Sequence, residues 1–171
     1  NKITINVKDP TDSGLQPVGK QALKPIKYYY TSCSGLWQTI WLESTPKNYI
    51  SDLKITPNLT KNSVSLRYKF VESKISSESK EIKISVFNKN DHSKVIYSFN
   101  KELNKNENEN EIHLNFGDIK IETWSPEKPN LYDFEIKIDQ DEVISYFGMR
   151  EFGIKNVNGH KRLTLNGKPY F

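Results

Sequence analysis

The residue types that most often perform nucleophilic or metal chemistry are scarce in this chain of 171 residues. Cys33 is the only cysteine, so no internal disulfide can form. The three histidines, His92, His113 and His160, lie far apart along the sequence and lack the spacing of zinc ligands. The sequence therefore predicts no metal site and no cofactor, and it carries no signature of a catalytic triad.

Two tryptophans are the clearest candidates for binding a ligand. Trp37 and Trp41 lie within residues 30–43, where large apolar side chains alternate onto both faces of a predicted strand. An exposed tryptophan can stack on a sugar ring, whereas a tryptophan inside an alternating strand is more often core or interface. Because both faces of this strand need cover, we interpret the pair as part of an interface between layers or domains.

Composition and charge exclude several classes of function. The formal net charge of +4 arises from 25 basic and 21 acidic residues, and the lysines are scattered along the chain. Binding to nucleic acid needs clustered basic residues, so it is not expected. No apolar run approaches the roughly 20 residues of a membrane helix, so no membrane partner is expected. No signal peptide begins at Asn1, and the export signal of a periplasmic or extracellular bacterial parent would lie upstream.

Short alternation of apolar and polar residues recurs along most of the chain and predicts an all-β protein. The alternating segments lie at residues 3–7, 64–70, 82–86, 112–116 and 134–138. Polar segments are interpreted as turns or loops at residues 9–19, 73–80, 88–93 and 100–111. Six or seven short strands between about residue 49 and residue 152 are typical of an immunoglobulin-like antiparallel β-sandwich.

One loop of the predicted sandwich, residues 124–132, has a distinctive composition. It begins with Trp124, and Pro126 and Pro129 fix its backbone and remove two hydrogen-bond donors. The segment therefore predicts a rigid connection that leads into the next strand. Tyr132 stands where sandwich folds place a corner tyrosine, whose hydroxyl group bonds to backbone a few residues upstream.

Three segments together resemble glycoside hydrolase family two, and their order and spacing are similar to its beta-galactosidase-like members. The first is the Gly-Leu-Trp-Gln-Thr-Ile-Trp-Leu-Glu stretch at residues 35–43. The second is the two-proline loop at 124–132, and the third is Phe-Gly-Met-Arg-Glu-Phe at 147–152 followed by residues 163–171. The resemblance covers essentially the whole chain.

The resemblance implies three parts. Residues 1–45 correspond to the end of a sugar-binding jelly-roll domain, residues 46–153 to the immunoglobulin-like sandwich, and residues 154–171 to a linker and the start of a catalytic barrel. Arg150 is then expected at the junction of sandwich and barrel, partly buried and paired with a carboxylate or a backbone carbonyl. Unpartnered jelly-roll strands would leave apolar surface exposed, which could pair two copies of the chain.

The implied activity of the parent protein is hydrolysis of a terminal beta-linked sugar with retention. Its two catalytic carboxyl groups, roughly 5 Å apart, sit on barrel strands that this chain lacks. Asn-Glu dipeptides, the pattern around the family's acid/base residue, occur three times in residues 106–111, but this hydrophilic run is interpreted as a solvated loop. We therefore expect a non-catalytic fragment whose partners are the other domains and the carbohydrate substrate of the parent. The alternative is a free-standing carbohydrate-binding or adhesion sandwich.

Overall fold

The computed structural model describes residues 2–72, 80–89, 91–103 and 109–170. Every regular element among these residues is a β-strand, as the sequence predicts. None of the described residues belongs to a helix of the length and apolarity needed to cross a membrane. The chain divides into two compact units, Asn1–Glu43 and Ser44–Phe171.

The first unit has little regular structure. Two short strands, β1 (Gln21–Ala22) and β2 (Tyr30–Thr31), pair in parallel. The prediction of strands at residues 3–7 and 35–43 is wrong, because the described residues there pair with no neighbouring strand. A strand needs a neighbour to pair its backbone N–H and C=O groups, and alternation of side chains alone does not supply one.

Local hydrogen bonds hold the first unit where a core is lacking. Among its described residues only Ala22 is buried. The Asp9 carboxylate accepts hydrogen bonds from Ser34 Oγ at 2.8 Å and from the Thr11 N–H at 2.7 Å. These two donors, Ser34 first, lower the pKa of Asp9 below its ordinary value. The tie from Asp9 to Ser34 brings distant parts of this segment together.

In the described part of the second unit, seven strands form a β-sandwich. In chain order these are β3 (Tyr49–Asn58), β4 (Ser63–Val71), β5 (Lys80–Asn88), β6 (Asp91–Leu103), β7 (Glu109–Asn115), β8 (Tyr132–Ile138) and β9 (Asp141–Phe147). One sheet has the order β3-β4-β7 and the other the order β6-β5-β8-β9. All neighbouring strands are antiparallel. The prediction of an antiparallel β-sandwich is thereby confirmed.

The core lies between the two sheets and follows directly from the alternation. On β4, Val64, Leu66 and Tyr68 are fully buried, while Arg67 between them is exposed. On strand β8, Phe134, Ile136 and Ile138 are likewise fully buried. Burial of apolar surface drives the two faces together, at roughly 25 cal/mol per Å² removed from water. Each sheet therefore contributes one face to a single shared core.

Two predicted loops are shorter than the sequence indicates. Strand β6 begins at Asp91 and continues to Leu103, through positions interpreted as loop at both of its ends. This strand lies at the edge of its sheet, has register shifts beside Phe87 and is largely exposed, so its side chains lack a clear alternation. Strand β6 forms without this alternation, because its backbone pairs with β5. Residues 73–79 and 104–108, also interpreted as loop, lie outside the described residues.

The chain enters the sandwich at one end and leaves it at the other. Near the start of β3, the Ile50 N–H donates to Asp141 Oδ2 at 2.7 Å, beside the start of β9. Beyond the far ends of the same two strands, Thr60 Oγ1 donates to Glu151 Oε2 at 3.3 Å. Strands β3 and β9 therefore run side by side in the same direction. The seven residues of β9 span about 20–25 Å at the usual rise of a strand.

A third, smaller sheet follows the sandwich and is called the ribbon. It consists of β10 (Phe152–Val157), β11 (His160–Leu165) and β12 (Lys168–Pro169), all antiparallel. Both of its turns are Asn-Gly pairs with positive φ, 52° and 80° at Asn158-Gly159 and 52° and 75° at Asn166-Gly167. Such turns match the twist of two paired strands, so each dipeptide is suited to a tight hairpin.

Tyr132 makes the corner contact expected from its position at the start of β8. Its side chain is buried, and the Glu122 N–H donates to its Oη at 2.8 Å. Its ring stacks on Phe147, with ring centroids 5.5 Å apart. Burial raises the pKa of Tyr132 above its ordinary value of 10.0. The hydroxyl group therefore ties the loop before β8 to the end of the core.

We expect Tyr132→Phe to lower the free energy of unfolding by about 1–2 kcal/mol, because the Glu122 N–H loses its acceptor in a partly buried site. Urea denaturation at pH 7 measures this, and Tyr146→Phe, at an exposed tyrosine of β9, is the matched control. Burial keeps the Tyr132 hydroxyl group neutral to a higher pH in the folded chain than in the unfolded chain. Ionisation in the unfolded chain therefore lowers the stability of wild type above pH 10.0, and the difference in unfolding free energy between wild type and Tyr132→Phe should shrink. Equal stability of both variants at pH 7 would contradict the corner role.

Candidate functional site

The residues singled out from the sequence fall into two groups. Trp37 and Trp41 lie in the first unit and are 87% and 76% exposed, so neither belongs to a core of this chain. Their role as interface residues stays a prediction. The other five lie in the second unit, at the end of the sandwich where β9 finishes: Trp124, Pro126, Pro129, Tyr132 and Arg150.

Trp124 is held against the segment that leaves β9. The backbone N–H of Trp124 donates to the Met149 carbonyl at 2.9 Å, and Thr123 forms an isolated parallel bridge with Met149. A Cβ atom added at Gly148 would lie 3.0 Å from Trp124 Cβ and 3.1 Å from its Cγ. Only glycine therefore admits this approach without displacement, and Met149 beside it is fully buried.

Arg150 lies between two aromatic rings. Its guanidinium carbon is 4.5 Å from the centroid of Trp124 and 5.3 Å from that of Phe152. The sequence predicts a partly buried arginine paired with a carboxylate or carbonyl at the junction with a barrel; in this chain the residue is exposed, and its role at such a junction stays a prediction. Within the described part of the chain its guanidinium has no hydrogen-bond acceptor or ion-pair partner. The ring faces hold the cation by cation-π attraction, worth about 0.5–1 kcal/mol at exposed sites.

Asn166 joins the ribbon to this end of the sandwich, and the sequence analysis did not identify it. Its side-chain Nδ2 donates to the Trp124 carbonyl at 2.9 Å, and its Oδ1 accepts from the Glu151 N–H at 3.0 Å. Its own N–H donates to the Glu151 carbonyl at 2.8 Å. The available signal was the Asn-Gly dipeptide itself, which predicts a tight hairpin turn.

A hydrogen bond between Tyr170 and Glu127 links the end of the chain to the proline loop. Tyr170 Oη donates to Glu127 Oε1 at 2.7 Å. This bond is the main cause of both shifts, raising the pKa of Tyr170 and lowering that of Glu127. The loop thus contacts the segment after β9 through Trp124 and the residue after β12 through Glu127.

A second group of polar side chains lies on β8. The Asp133 carboxylate is 4% exposed and receives Lys89 Nζ at 2.6 Å and His92 Nε2 at 3.0 Å. The His92 ring stacks on Phe87 at 4.6 Å. Two donors compensate one buried carboxylate, which is what the low dielectric of a protein interior requires. The described residues contain no cluster of three histidine, cysteine or acidic side chains that could hold a metal ion.

The first half of the Asn-Glu run lies outside the described residues, which resume at residue 109. Asn110 and Glu111 belong to strand β7, so their assignment to a loop is wrong. Glu111 Oε2 is 3.9 Å from an Arg67 nitrogen on the neighbouring strand. This is an exposed cross-strand pair, of the kind worth less than about 1 kcal/mol.

Comparison with known proteins decides the family. The sequence profile of Glycosyl hydrolases family 2 matches residues 48–155, which make up most of the chain. The chain belongs to glycosyl hydrolases family 2. A curated protein of Formosa agariphila, named "Putative beta-glucuronidase", is 28% identical over 175 residues; the match covers 98% of this chain and 19% of that protein.

Solved structures of family 2 share the fold. A glycosyl hydrolase family 2 member from Bacteroides cellulosilyticus has a TM-score of 0.57 at 18% identity, over 73% of this chain and 18% of that one. Faecalibacterium prausnitzii beta-glucuronidase has a TM-score of 0.52 at 22% identity, over 73% and 18%. Our chain thus spans about a fifth of the length of these family 2 proteins. The expected beta-galactosidase specificity finds no support in the names of these relatives.

We expect Asn166→Gly to lower the free energy of unfolding of the ribbon by about 1–3 kcal/mol, because glycine keeps the positive φ but removes two side-chain hydrogen bonds. Asn158→Gly is the matched control, since Asn158 has the same φ of 52° in the other Asn-Gly turn. Hydrogen exchange of the β10 and β11 amides measures the effect. Equal exchange in the two variants would show that the Asn166 side chain does not attach the ribbon.

Proposed function

We propose that this chain is a non-catalytic part of a retaining family 2 glycosidase, in which the sandwich separates a sugar-binding domain from a catalytic barrel. Membership of the family and the small share of each relative that the chain covers support this proposal. A catalytic barrel alone needs about 250 residues. Catalysis is therefore assigned to parts of the parent protein outside residues 1–171.

The observation that carries the spacer role is the path of the chain through the sandwich. The chain begins β3 beside Asp141 and leaves β9 at the opposite end, beside Trp124 and Arg150. Preceding and following domains are then separated by the length of a strand, about 20–25 Å. A sandwich with one closed core is stiff enough to maintain such a separation.

The substrate proposed for the parent is a β-glucuronide. The name of the Formosa agariphila relative supports this choice, since that protein matches almost the whole chain. The beta-galactosidase resemblance of the sequence motifs leaves a β-galactoside as the competing substrate. Both reactions remove a terminal beta-linked sugar, and residues of the barrel would distinguish the two sugars.

A free carbohydrate-binding module is the second candidate function. The exposure of Trp37 and Trp41 favours it, because exposed indole rings can stack on the faces of sugars. Tyr28 and Tyr29 in the same unit also stack on each other, with centroids 5.3 Å apart. In the first proposal these apolar side chains are covered by the rest of the jelly-roll domain.

We expect the parent protein to hydrolyse 4-nitrophenyl β-glucuronide and the 171-residue chain alone to release no nitrophenol from it, because the barrel carboxyl groups are absent from the chain. The matched substrate is 4-nitrophenyl β-galactoside, assayed with both proteins. Faster turnover of the galactoside by the parent would favour the motif-based specificity. Hydrolysis by the short chain would contradict the proposed function, and saturable binding of a glucuronide or galactoside to it would favour the module.

A further inference from the structure

We infer that Asn158, at the tip between β10 and β11, is a site of spontaneous modification at which the side-chain amide is lost and the residue becomes aspartate or isoaspartate. Asn166 belongs to the only other Asn-Gly dipeptide of the chain, and the contacts of its side chain protect it from the same reaction. The inference is independent of the proposed function, because it depends only on the geometry of these two turns.

The reaction is an attack of the chain on itself. The backbone nitrogen that follows an asparagine forms a bond to the side-chain carbon Cγ, and the bond from Cγ to Nδ2 breaks. The amide proton of the attacking nitrogen leaves with the side-chain NH2 group as ammonia, which closes a succinimide ring. Water then opens the ring at one of its two carbonyl groups and yields aspartate or isoaspartate. A following glycine favours the attack because it has no side chain to shield its nitrogen.

The two Asn-Gly turns have nearly the same backbone conformation. φ is 52° at both asparagines, and it is 80° at Gly159 and 75° at Gly167. Each dipeptide forms the two-residue connection of an antiparallel hairpin. Backbone geometry therefore does not distinguish the two sites, and a difference in their reaction rates in the folded chain has to come from their side-chain contacts.

The Asn166 side chain is held at both of its polar atoms. Its Nδ2 donates to the Trp124 carbonyl at 2.9 Å, and its Oδ1 accepts from the Glu151 N–H at 3.0 Å. Attack requires the reacting atoms to come within about 3–3.5 Å of each other in alignment. A rotation that turns Cγ towards the Gly167 nitrogen breaks these hydrogen bonds. The folded chain therefore opposes ring closure at this position.

The Asn158 side chain lacks such restraints. It is exposed, and within the ranges that the structure describes its amide group has no hydrogen-bond partner. Gly159 lies between the paired residues 152–157 and 160–165, so its N–H is not part of the pairing of β10 with β11. The free tip of a hairpin also opens more readily than paired residues within a sheet. Cγ of Asn158 and the nitrogen of Gly159 can therefore reach the geometry of attack.

The two products change the tip in different ways. Aspartate adds a negative charge and tolerates the positive φ of this position, as asparagine does. Isoaspartate inserts one more carbon atom into the backbone of the turn. It therefore lengthens the two-residue connection that places Val157 opposite His160. We expect the isoaspartate form to exchange its Val157 and His160 amide hydrogens faster than the unmodified chain.

Ageing of the folded chain at mildly alkaline pH tests the inference. Peptide mapping by mass spectrometry measures deamidation at each dipeptide, and methyl transfer by an isoaspartyl methyltransferase reports isoaspartate. We expect Asn158 to react about 10-fold or more faster than Asn166, because two hydrogen bonds restrain only Asn166. In urea that unfolds the chain, the two rates should converge. Equal rates in the folded chain, or an unchanged difference in urea, would overturn the inference.

A matched pair of variants tests the same assignment through the release of ammonia. We expect Asn158→Gly to remove most of the ammonia that the folded chain releases, since glycine keeps the positive φ but has no side-chain amide to lose. Asn166→Gly should leave most of this release in place. The reverse result would assign the reaction to Asn166, and release that survives both substitutions would assign it to other amides. Either result would overturn the inference.

Discussion

The shared core of the two sandwich sheets is the constraint from which the rest of the second unit follows. Each sheet has only one apolar face, so the sheets must close on each other with Phe134 and Leu66 inside. Closure fixes where β9 ends, and Phe147 there stacks on Tyr132. The backbone beyond β9 is then placed against Trp124 at Gly148, where an added Cβ atom would lie only 3.0 Å from Trp124 Cβ.

Side-chain hydrogen bonds satisfy backbone groups where the pairing of strands ends. The Asp141 carboxylate receives the Ile50 N–H at the start of the sandwich, and Asn166 receives the Glu151 N–H beyond its end. Each contact satisfies a backbone group that no neighbouring strand can reach. These contacts lie at the two ends of the sandwich, which are the ends where our proposed function places the neighbouring domains of the parent. Stability and connection therefore depend on the same residues.

Part of this arrangement could be predicted from the sequence, because alternation of buried and exposed side chains marks a strand that packs on a core. Strand β4 buries every second side chain, and β8 does the same apart from the additional buried Asp133, so their alternation identifies them. Strand β6 lies at an edge with few buried positions, and its pattern resembles a loop. Residues 35–43 alternate strongly, yet they form no ladder, because pairing requires a neighbouring strand. The site was less predictable: that Arg150 stacks on Trp124 depends on contacts between residues distant in sequence.

The parallel course of β3 and β9 gives the sandwich a mechanical character. A pull on the chain before Ile50 and after Met149 acts along the strands rather than across them. The contacts that join the strands are then loaded in shear, so they share the force and do not break one after another. In the parent protein that we propose, relative motion of the flanking domains would therefore be transmitted through the sandwich rather than absorbed by it.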